Sequence, residues 1–359
     1  MSVRVRLTLD RSALLTNVKV LRKFSTAPVL RAVAKCDAYG HGAVTIARWL
    51  EPDVEEFAVA SVDEGVELRL AGITRPVYIL SDFDSQVDVS ELVAHNLSPV
   101  IHSSKQLHLV KDVVNQLPSI VIKIDTGMGR LGFLPEECGA VYELLNRTSV
   151  LGNVEIMSHF SCANDLESCF TEKQYQKFLS ATDEHDCLKS IANSAALLAW
   201  PKTHLDCVRP GLSLYGISPI PDKAGYEYGL QPVMGLTTRI LTLKNIPAGH
   251  TVGYGAGWVA SRDTTLAVLP CGYGDGYPRH ASGSKVFVNG ELVPVVGQIS
   301  MDSMTVDVTG KEFLRVDNEV ELVGPNVCIE SIENASGVSS YEILCNLGKR
   351  ITRDVYGYT

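Results

Sequence analysis

The sequence predicts an α/β protein in which a (β/α)8 barrel of the TIM type is followed by a mainly β C-terminal domain. Three observations support this prediction. Eight short apolar runs alternate with helical patterns between residue 29 and about residue 210. Beyond about residue 225, Val, Thr and Gly dominate the sequence. The length of 359 residues also exceeds what one compact core usually holds, so two domains are expected.

The eight apolar runs have the pattern of strands that are covered on both faces. Each is continuous rather than alternating, as buried parallel strands require. Eight strand–helix repeats indicate a closed barrel, although an open doubly wound sheet would give a similar pattern. The predicted strands are Leu30–Ala34, Phe57–Ser61, Val77–Ser81, Pro99–Ser103, Ile120–Asp125, Val154–Ser158, a weaker one near Leu188–Ala192, and Leu205–Val208.

Helices are predicted between these strands. Segment 63–72 begins with two acidic residues and ends at Gly72, and both features favour helix ends at those positions. Segment 134–147 has Pro135 near its start, where proline is well tolerated.

The chain after the barrel predicts a β domain. Asn289 and Gly290 stand between two β-type runs, and this dipeptide is the strongest short-range signal for a hairpin. We assign residues 1–228 to the barrel and residues 229–359 to the mainly β domain. Residues 1–10 alternate in polarity, so they suit an additional strand that pairs with the second domain.

Composition disfavours several classes of function. The net charge is −9 and no long run of Lys and Arg occurs, which argues against a nucleic-acid partner. No apolar run is long enough for a membrane span, so no membrane partner is expected. The nine cysteines are scattered without a CxxC pair, which is typical of reduced thiols in a cytoplasmic protein and predicts no metal site.

The first chemical candidate is Lys35, in the segment AVAKCDAYGHG. A lysine at the carboxyl end of a barrel strand faces the site where barrel enzymes react, and partial desolvation there suits Schiff-base chemistry. Gly40 and Gly42 allow a tight turn that keeps Tyr39 and His41 near the same mouth. The alternative is that Lys35 is an ordinary surface lysine without a chemical role.

The segment KIDTGMGRLGF at 123–133 matches a dinucleotide fingerprint through its three glycines. The context disfavours that interpretation, because the strand is the fifth and the next helical pattern begins only near Pro135. A flexible turn is one alternative, and a loop that presents Arg130 to an anion is the other.

Two further loops could contact a phosphate group. One helix opens after the seventh strand, where barrels often bind phosphate, and VRPGLSLYG follows the eighth strand. Each loop also fits a purely structural role, as a helix cap or a Pro-Gly turn. The segment SHF at 158–160 lies at the end of the sixth predicted strand. The candidate residues in this segment and in the two loops are His159, Asn193, Ser194, Arg209, Gly211 and Leu212.

Taken in order, the motifs resemble those of the bacterial alanine racemases of fold-type III, which use pyridoxal 5′-phosphate (PLP). The set is AKxxAYGHG, KxDTGMGRLGF, SHF, NSAA, VRPGxSLYG, VGYGxxW, GYGDGYPR and GxxSMD, and it covers residues 30 to about 305. Each motif is moderately specific, and their ordered combination is very specific.

The resemblance implies two catalytic bases and PLP as cofactor. Lys35 corresponds to the Schiff-base lysine, which also acts on one face of the substrate. Tyr254 corresponds to the tyrosine that acts on the opposite face, and in the family it comes from the other subunit. A homodimer with shared active sites is therefore expected.

The resemblance also implies the contacts of the cofactor. Arg209 corresponds to the arginine that faces the pyridine nitrogen, and His159 links that arginine to the tyrosine. Because arginine only donates hydrogen bonds, the nitrogen should stay unprotonated, which discourages transamination. The expected cofactor-binding residues are Lys35, Tyr39, His159, Asn193, Ser194, Arg209, Gly211 and Leu212.

Three residues are expected to contact or admit the substrate. Arg130 and the backbone of Met301 correspond to groups that bind its carboxylate, with Met301 supplied by the partner subunit. Tyr273 corresponds to a residue of the substrate entrance. Lys123 corresponds to a lysine that is often carbamylated, and the carbamate positions Arg130.

The implied function is interconversion of L- and D-alanine by a two-base mechanism, either to supply D-alanine for peptidoglycan or to catabolise it. A racemase for serine or for several amino acids is the close alternative. A PLP decarboxylase, a non-catalytic PLP-binding protein and an NAD-dependent dehydrogenase are more distant alternatives. Gln298, Lys349 and Ser190 depart from well-known members, where an arginine, a tyrosine and a histidine respectively occur.

Overall fold

The structure is a computed structural model that describes residues 4–148, 154–347 and 351–356. The chain divides into two compact units. The barrel unit comprises Leu15–Leu214 and Ser218–Lys223. The β unit comprises the described residues up to Leu14, the segment Tyr215–Ile217 and the described residues from Ala224 onward. The boundary predicted between residues 228 and 229 stays a prediction.

Eight parallel strands in the described residues form a nearly closed barrel, which confirms the predicted fold class. Their hydrogen-bonded order is β8-β7-β6-β5-β4-β3-β2-β9. The strands are β2 (Val29–Val33), β3 (Glu56–Ser61), β4 (Val77–Asp82), β5 (Ser98–Ile101), β6 (Ile120–Lys123), β7 (Val154–Met157), β8 (Leu188–Ser190) and β9 (Cys207–Val208), after β1 (Arg6–Asp10) of the other unit.

The two shortest strands of the barrel, β8 and β9, lie where it closes. Residues of β5, β6 and β7 are buried along their whole length, as continuous apolar runs predict. The weak segment near Leu188 yields only three strand residues, of which Leu188 is exposed. Single backbone hydrogen bonds, from Asp206 to Lys189 and from Arg209 to Ala192, join this segment to β9.

Helices follow most barrel strands, and several begin at a serine whose hydroxyl accepts a backbone N–H. Ser61, Ser85 and Ser103 cap α4, α5 and α6 in this way. Segment 134–147 forms a short 3-10 turn before α7. The helices are α1 (Arg11–Phe24), α2 (Lys35–Gly40), α3 (Ala43–Leu50), α4 (Val62–Leu70), α5 (Gln86–Ala94), α6 (Ser104–Val110), α7 (Cys138–Thr148), α8 (Phe170–Thr182), α9 (Ser194–Ala199), α10 (Ile329–Ser336) and α11 (Ser340–Asn346).

The β unit contains a six-stranded sheet of order β16-β15-β18-β10-β1-β19 and a three-stranded sheet of order β11-β14-β17. Strand β1 pairs antiparallel with β10. Asn289 and Gly290 connect β15 to β16, both with positive φ, as a tight hairpin requires. The strands are β10 (Met234–Arg239), β11 (Thr242–Ile246), β12 (Thr251–Val252), β13 (Trp258–Val259), β14 (Thr264–Leu269), β15 (Lys285–Val288), β16 (Glu291–Pro294), β17 (Met304–Asp307), β18 (Glu319–Val323) and β19 (Thr352–Tyr356).

An ion-pair network lies inside the barrel. The buried guanidinium of Arg31 on β2 donates two hydrogen bonds to Glu155 on β7, at 3.0 and 2.5 Å, and one to Glu56 on β3, at 2.7 Å. The ring of Tyr78 lies 3.5 Å from the guanidinium carbon. The network crosses from β7 to β3, and pairing compensates the burial of its charges.

Candidate active site

Four of the predicted residues lie at the carboxyl ends of barrel strands. Lys35 follows β2, Lys123 ends β6, His159 follows β7 and Arg209 follows β9. Parallel strands of a barrel bring these ends to one face, which is the face where barrel enzymes place their active sites. Lys123 and His159 line one small cavity together with Arg130. The structure therefore brings together side chains that are far apart in the sequence.

The chain turns in an unusual way directly after Lys35. The four residues 36–39 all adopt left-handed helical angles, with φ between 52° and 55°. Each such residue other than glycine costs roughly 1–2 kcal/mol. Two side chains hold the turn: Glu64 accepts the Cys36 N–H at 2.7 Å, and Asp37 accepts the Ala43 N–H at 2.7 Å. The strained backbone thus lies directly beside Lys35, and strain of this kind often occurs at functional sites.

The left-handed turn buries Tyr39 against Gly211. A Cβ on Gly211 would lie 2.3 Å from the Tyr39 hydroxyl oxygen, so only glycine fits there without displacement. The Ser194 hydroxyl accepts the N–H of Gly211 at 2.9 Å and that of Ser213 at 3.4 Å. Leu212 lies between these two residues and is buried. Hydroxyl and backbone N–H groups thus converge at the ends of β2, β8 and β9.

Asn193 caps the helix that Ser194 opens. Its side-chain oxygen accepts the Ala196 N–H at 3.0 Å. The predicted contact of Asn193 with a cofactor stays a prediction.

Arg209 is buried and held in place by three groups. Its Nη1 donates to the Ser190 hydroxyl, and its Nη2 donates to the carbonyl oxygens of Ser158 at 2.6 Å and Ile191 at 3.3 Å. Burial lowers the pKa of Arg209 to about 10, so it stays cationic at neutral pH. Ser190, one of the departures noted in the sequence, is thus the hydroxyl partner of this arginine.

Lys123 is buried among positive charges. Burial first, and then the charges of Arg209, Arg130 and Lys35, lower the pKa of Lys123 to about 7, while Asp125 opposes this shift. Much of the Lys123 amine is therefore neutral and nucleophilic near neutral pH.

His159 is surrounded by the same cations. Burial and the charges of Lys123, Arg209 and Arg130 depress its pKa well below the usual value for histidine. A neutral imidazole has one donor and one acceptor nitrogen, so His159 can connect two polar partners.

The glycine-rich loop that carries Arg130 is shaped by Asp125. The carboxylate accepts the N–H groups of Gly127 and Met128, each at 2.8 Å, and that of Arg130 at 3.1 Å. These bonds lower the pKa of Asp125 although burial acts in the opposite direction. Helix α7 begins only at Cys138, so the loop does not lead into a helix as a dinucleotide fingerprint requires.

Three predicted residues of the β unit are exposed to solvent. Tyr254 is 66% exposed, Met301 53% and Tyr273 40%. The backbone N–H of Tyr273 donates to the carbonyl oxygen of Ser300 at 3.1 Å, which places Tyr273 beside Met301.

Several neighbours of the predicted side chains were not predicted from the sequence. In the β unit, Arg279 donates to Gln298 at 3.4 Å, and its guanidinium carbon lies 5.8 Å from the centre of the Tyr273 ring. Arg279 ends the motif GYGDGYPR, which was the available signal. In the barrel unit, Asp125 beside Arg130 and Ser158 beside Arg209 were not among the predicted residues. Lys349 lies outside the described residues.

Within the described parts of the chain, no three His, Cys, Asp or Glu residues cluster as a metal site would need. None of the helices described is long and apolar enough to cross a membrane.

The fold and the site define a barrel enzyme whose strand ends present the half-buried Lys35, two buried basic side chains and a set of hydroxyl and N–H donors suited to an anionic ligand. Comparisons with known proteins narrow this class. Residues 9–219 match the family model for the alanine racemase N-terminal domain, and residues 233–355 match that for the C-terminal domain. The chain therefore belongs to the alanine racemase family, which confirms the resemblance seen in the motifs.

Individual relatives agree with this assignment. The chain is 40% identical over 344 residues to the alanine racemase of Haemophilus influenzae, which covers 94% of this chain and 95% of that protein. The crystal structure of the biosynthetic alanine racemase from Pseudomonas aeruginosa superposes with a TM-score of 0.93 at 33% identity, covering 99% of this chain and 100% of that one. The structure of alanine racemase from Bartonella henselae, described with covalently bound pyridoxal phosphate, has a TM-score of 0.88 at 28% identity and covers 99% of this chain and 100% of that one.

Proposed function

We propose that this enzyme interconverts L- and D-alanine with PLP attached covalently to Lys35. The observation that carries the proposal is the position of Lys35 at the end of β2, on the face where the buried cations of the barrel meet, in a chain of the alanine racemase family. The names of the relatives favour alanine over serine or a broader range of substrates.

The residues around Lys35 fit PLP. Its phosphate needs hydrogen-bond donors, which the hydroxyls of Tyr39 and Ser194 and the N–H groups of Gly211 and Leu212 would provide. In this structure the N–H groups of Gly211 and Ser213 donate to the Ser194 hydroxyl, and the Gly211 N–H would turn from that hydroxyl to the phosphate when PLP binds. Asn193 would support the same contact by capping α9.

PLP would supply the chemistry that side chains lack, because its ring accepts electrons from the substrate Cα–H bond. Lys35 on one face and Tyr254 on the other would each remove or return the α-proton, which inverts the configuration without moving the substrate. Arg209 would face the pyridine nitrogen as a donor that cannot lose its proton at neutral pH. His159 would connect Arg209 to Tyr254.

Arg130 and the backbone N–H of Met301 would bind the substrate carboxylate, and Tyr273 would line the entrance. Lys123 would be carbamylated: its neutral amine adds to CO2, an N–C bond forms and one proton leaves. The lowered pKa of Lys123 and its cationic surroundings support this reaction, because a carbamate would offset the positive charge around it. A free amine in intact-mass spectra under bicarbonate would count against carbamylation.

The active enzyme would be a homodimer in which Tyr254 and Met301 reach the site of the partner. Their exposure on one protomer supports this arrangement. The enzyme would act in the cytoplasm. The D-alanine would be used for peptidoglycan, which agrees with the biosynthetic alanine racemase of Pseudomonas aeruginosa among its relatives.

The test is incubation of the PLP-loaded protein with L-alanine in deuterated water, followed by chiral chromatography and mass spectrometry. D-alanine with deuterium at the α-carbon is the expected product, and L-serine in a parallel reaction should give much less. Tyr254→Phe should keep its PLP and lose this activity. Wild-type protein that holds PLP but forms no D-alanine would reject the proposal.

A further inference from the structure

A buried glutamine on α8 connects two loops of the active-site face. Gln174 is fully buried. Its Oε1 accepts the N–H and the hydroxyl of Ser161, both at 3.0 Å. Its Nε2 donates to the carbonyl oxygen of His159 at 3.1 Å and to the hydroxyl of Thr126 at 3.4 Å. The Ser161 N–H can only donate and the His159 carbonyl can only accept, so these partners fix the orientation of the amide.

From Gln174 the hydrogen bonds continue toward Arg209. The Thr126 and Ser158 hydroxyls are 2.9 Å apart, and Ser158 donates to the carbonyl oxygen of Ile124 at 2.7 Å. The hydroxyl of Thr126 therefore donates to the hydroxyl of Ser158. Gln174, Thr126 and Ser158 thus form a chain in which each group donates to the next, and the chain ends at the carbonyl oxygen of Ile124. The carbonyl oxygen of Ser158 in turn accepts Nη2 of Arg209 at 2.6 Å.

The loop that bears Arg130 also packs directly on α8. A Cβ on Gly127 would lie 2.9 Å from Cζ of Phe170 and 3.5 Å from Cγ of Gln174. Packing and hydrogen bonding thus anchor this loop at the same point of the helix.

We propose that Gln174 is a positioning residue, which holds the Arg130 loop and the His159 segment in register with Arg209. The proposal rests on the proposed racemase function, because it assigns those three residues to substrate and cofactor. Gln174 touches neither, and it acts through the backbone of His159 and through Thr126. A polar residue with every partner inside the protein rigidifies the elements that it joins.

The test compares Gln174→Met with Gln176→Met in the PLP-loaded full chain. Methionine keeps the length of the side chain and removes both polar atoms. Gln176 lies on the same helix, is exposed and bonds only Glu172 in the described contacts, so it is the matched control. The measurements are amide hydrogen exchange in segments 124–133 and 158–162, and kcat and KM for alanine across pH.

Gln174→Met should speed exchange in both segments and lower kcat/KM by about 10- to 100-fold, since a displacement of about 1 Å in an active site has effects of that size. The pH profile of kcat/KM should also shift, because His159 moves among the cations. Gln176→Met should match the wild type in all three measurements. Equal exchange, kcat/KM and pH profile in both variants would overturn the proposal.

If Gln174→Met does not fold, Thr126→Val decides the question. It removes one buried hydroxyl with little change of shape, and it should speed exchange in segment 124–133 and raise KM several-fold. Unchanged exchange and KM in this variant would overturn the proposal. Wild-type protein without racemase activity would instead reject the proposed function, and the exchange measurements would still test the role of Gln174.

Discussion

Replacing Gly211 with alanine should weaken the binding of PLP by crowding Tyr39. The added Cβ would lie 2.3 Å from the Tyr39 hydroxyl oxygen and 3.0 Å from its Cζ, whereas ordinary contacts begin at 3.4 Å. The hydroxyl would therefore retreat by about 1 Å, the difference between 3.4 and 2.3 Å. The φ angle of Gly211 lies outside the left-handed region, so backbone strain does not contribute.

The size of the effect follows from the proposed role of Tyr39. A hydrogen bond to a charged group contributes about 1.5–3 kcal/mol, and each 1.4 kcal/mol is about tenfold in affinity. Loss of the Tyr39 contact should thus raise the Kd of PLP about 10- to 100-fold, measured by titrating apoprotein and following its absorbance. Gly139→Ala is the control, because its Cβ would come no closer than 3.8 Å to His185.

A double variant separates crowding from a general loss of structure. Tyr39→Phe removes the atom at 2.3 Å and leaves only the milder contact at 3.0 Å. Gly211→Ala should therefore weaken binding much less in the Tyr39→Phe background than in the wild type, as coupled neighbours require. Wild-type affinity in Gly211→Ala, or penalties that simply add in the double variant, would refute the reasoning.

Three further predictions concern charged side chains of the barrel unit. Lys123→Met should stabilise CO2-free apoprotein at pH 7, because the folded state holds this amine at a pKa of about 7 against 10.5 when unfolded. The stability of the wild type then rises between these pH values, so the advantage of Lys123→Met should vanish toward pH 10. A difference in melting temperature between the variant and the wild type that stays constant from pH 7 to pH 10 would contradict this prediction. Glu155→Leu should lower the free energy of unfolding by about 3–5 kcal/mol, since Arg31 keeps a buried charge that only Glu56 then pairs. Urea denaturation with an unchanged midpoint would argue against that figure. Asp125→Asn should raise KM for alanine about tenfold, because an amide replaces one of the two oxygens that bind the loop carrying Arg130; an unchanged KM would mean that Asp125 does not position that loop.

The barrel was predictable because strands that are buried on both faces appear in the sequence as continuous apolar runs. A strand such as Ile120–Lys123 is buried throughout and reads as an apolar run. The turn after Lys35 left no such trace. Glycines at positions 40 and 42 indicated a tight turn, but nothing in the residues Cys-Asp-Ala-Tyr predicts four left-handed conformations. Tertiary contacts such as the Glu64–Cys36 hydrogen bond impose that geometry.

The residues of the candidate site likewise include some that were predictable from the sequence and some that were not. Residues at strand ends could be named from the order of strands, because the barrel brings those ends together. The groups that orient them could not. Gln174 lies on a helix and Ser190 was noted only as a departure, yet they contact His159 and Arg209 respectively. Such partners depend on side-chain directions that only the folded chain defines.

The cations of the site also explain why the hydrogen-bond partners that hold Arg209 are neutral. Among the charged groups with the largest effects on the pKa of Lys123, Arg209, Arg130 and Lys35 are positive and Asp125 is negative. A carboxylate beside Arg209 would offset that excess, but it would also compete with an anionic ligand for the same cations. Serine hydroxyls and carbonyl oxygens hold the guanidinium without adding charge. The positive charge of Arg209 is therefore left for the ligand, whereas the buried charge of Arg31 is paired directly with the carboxylates of Glu56 and Glu155.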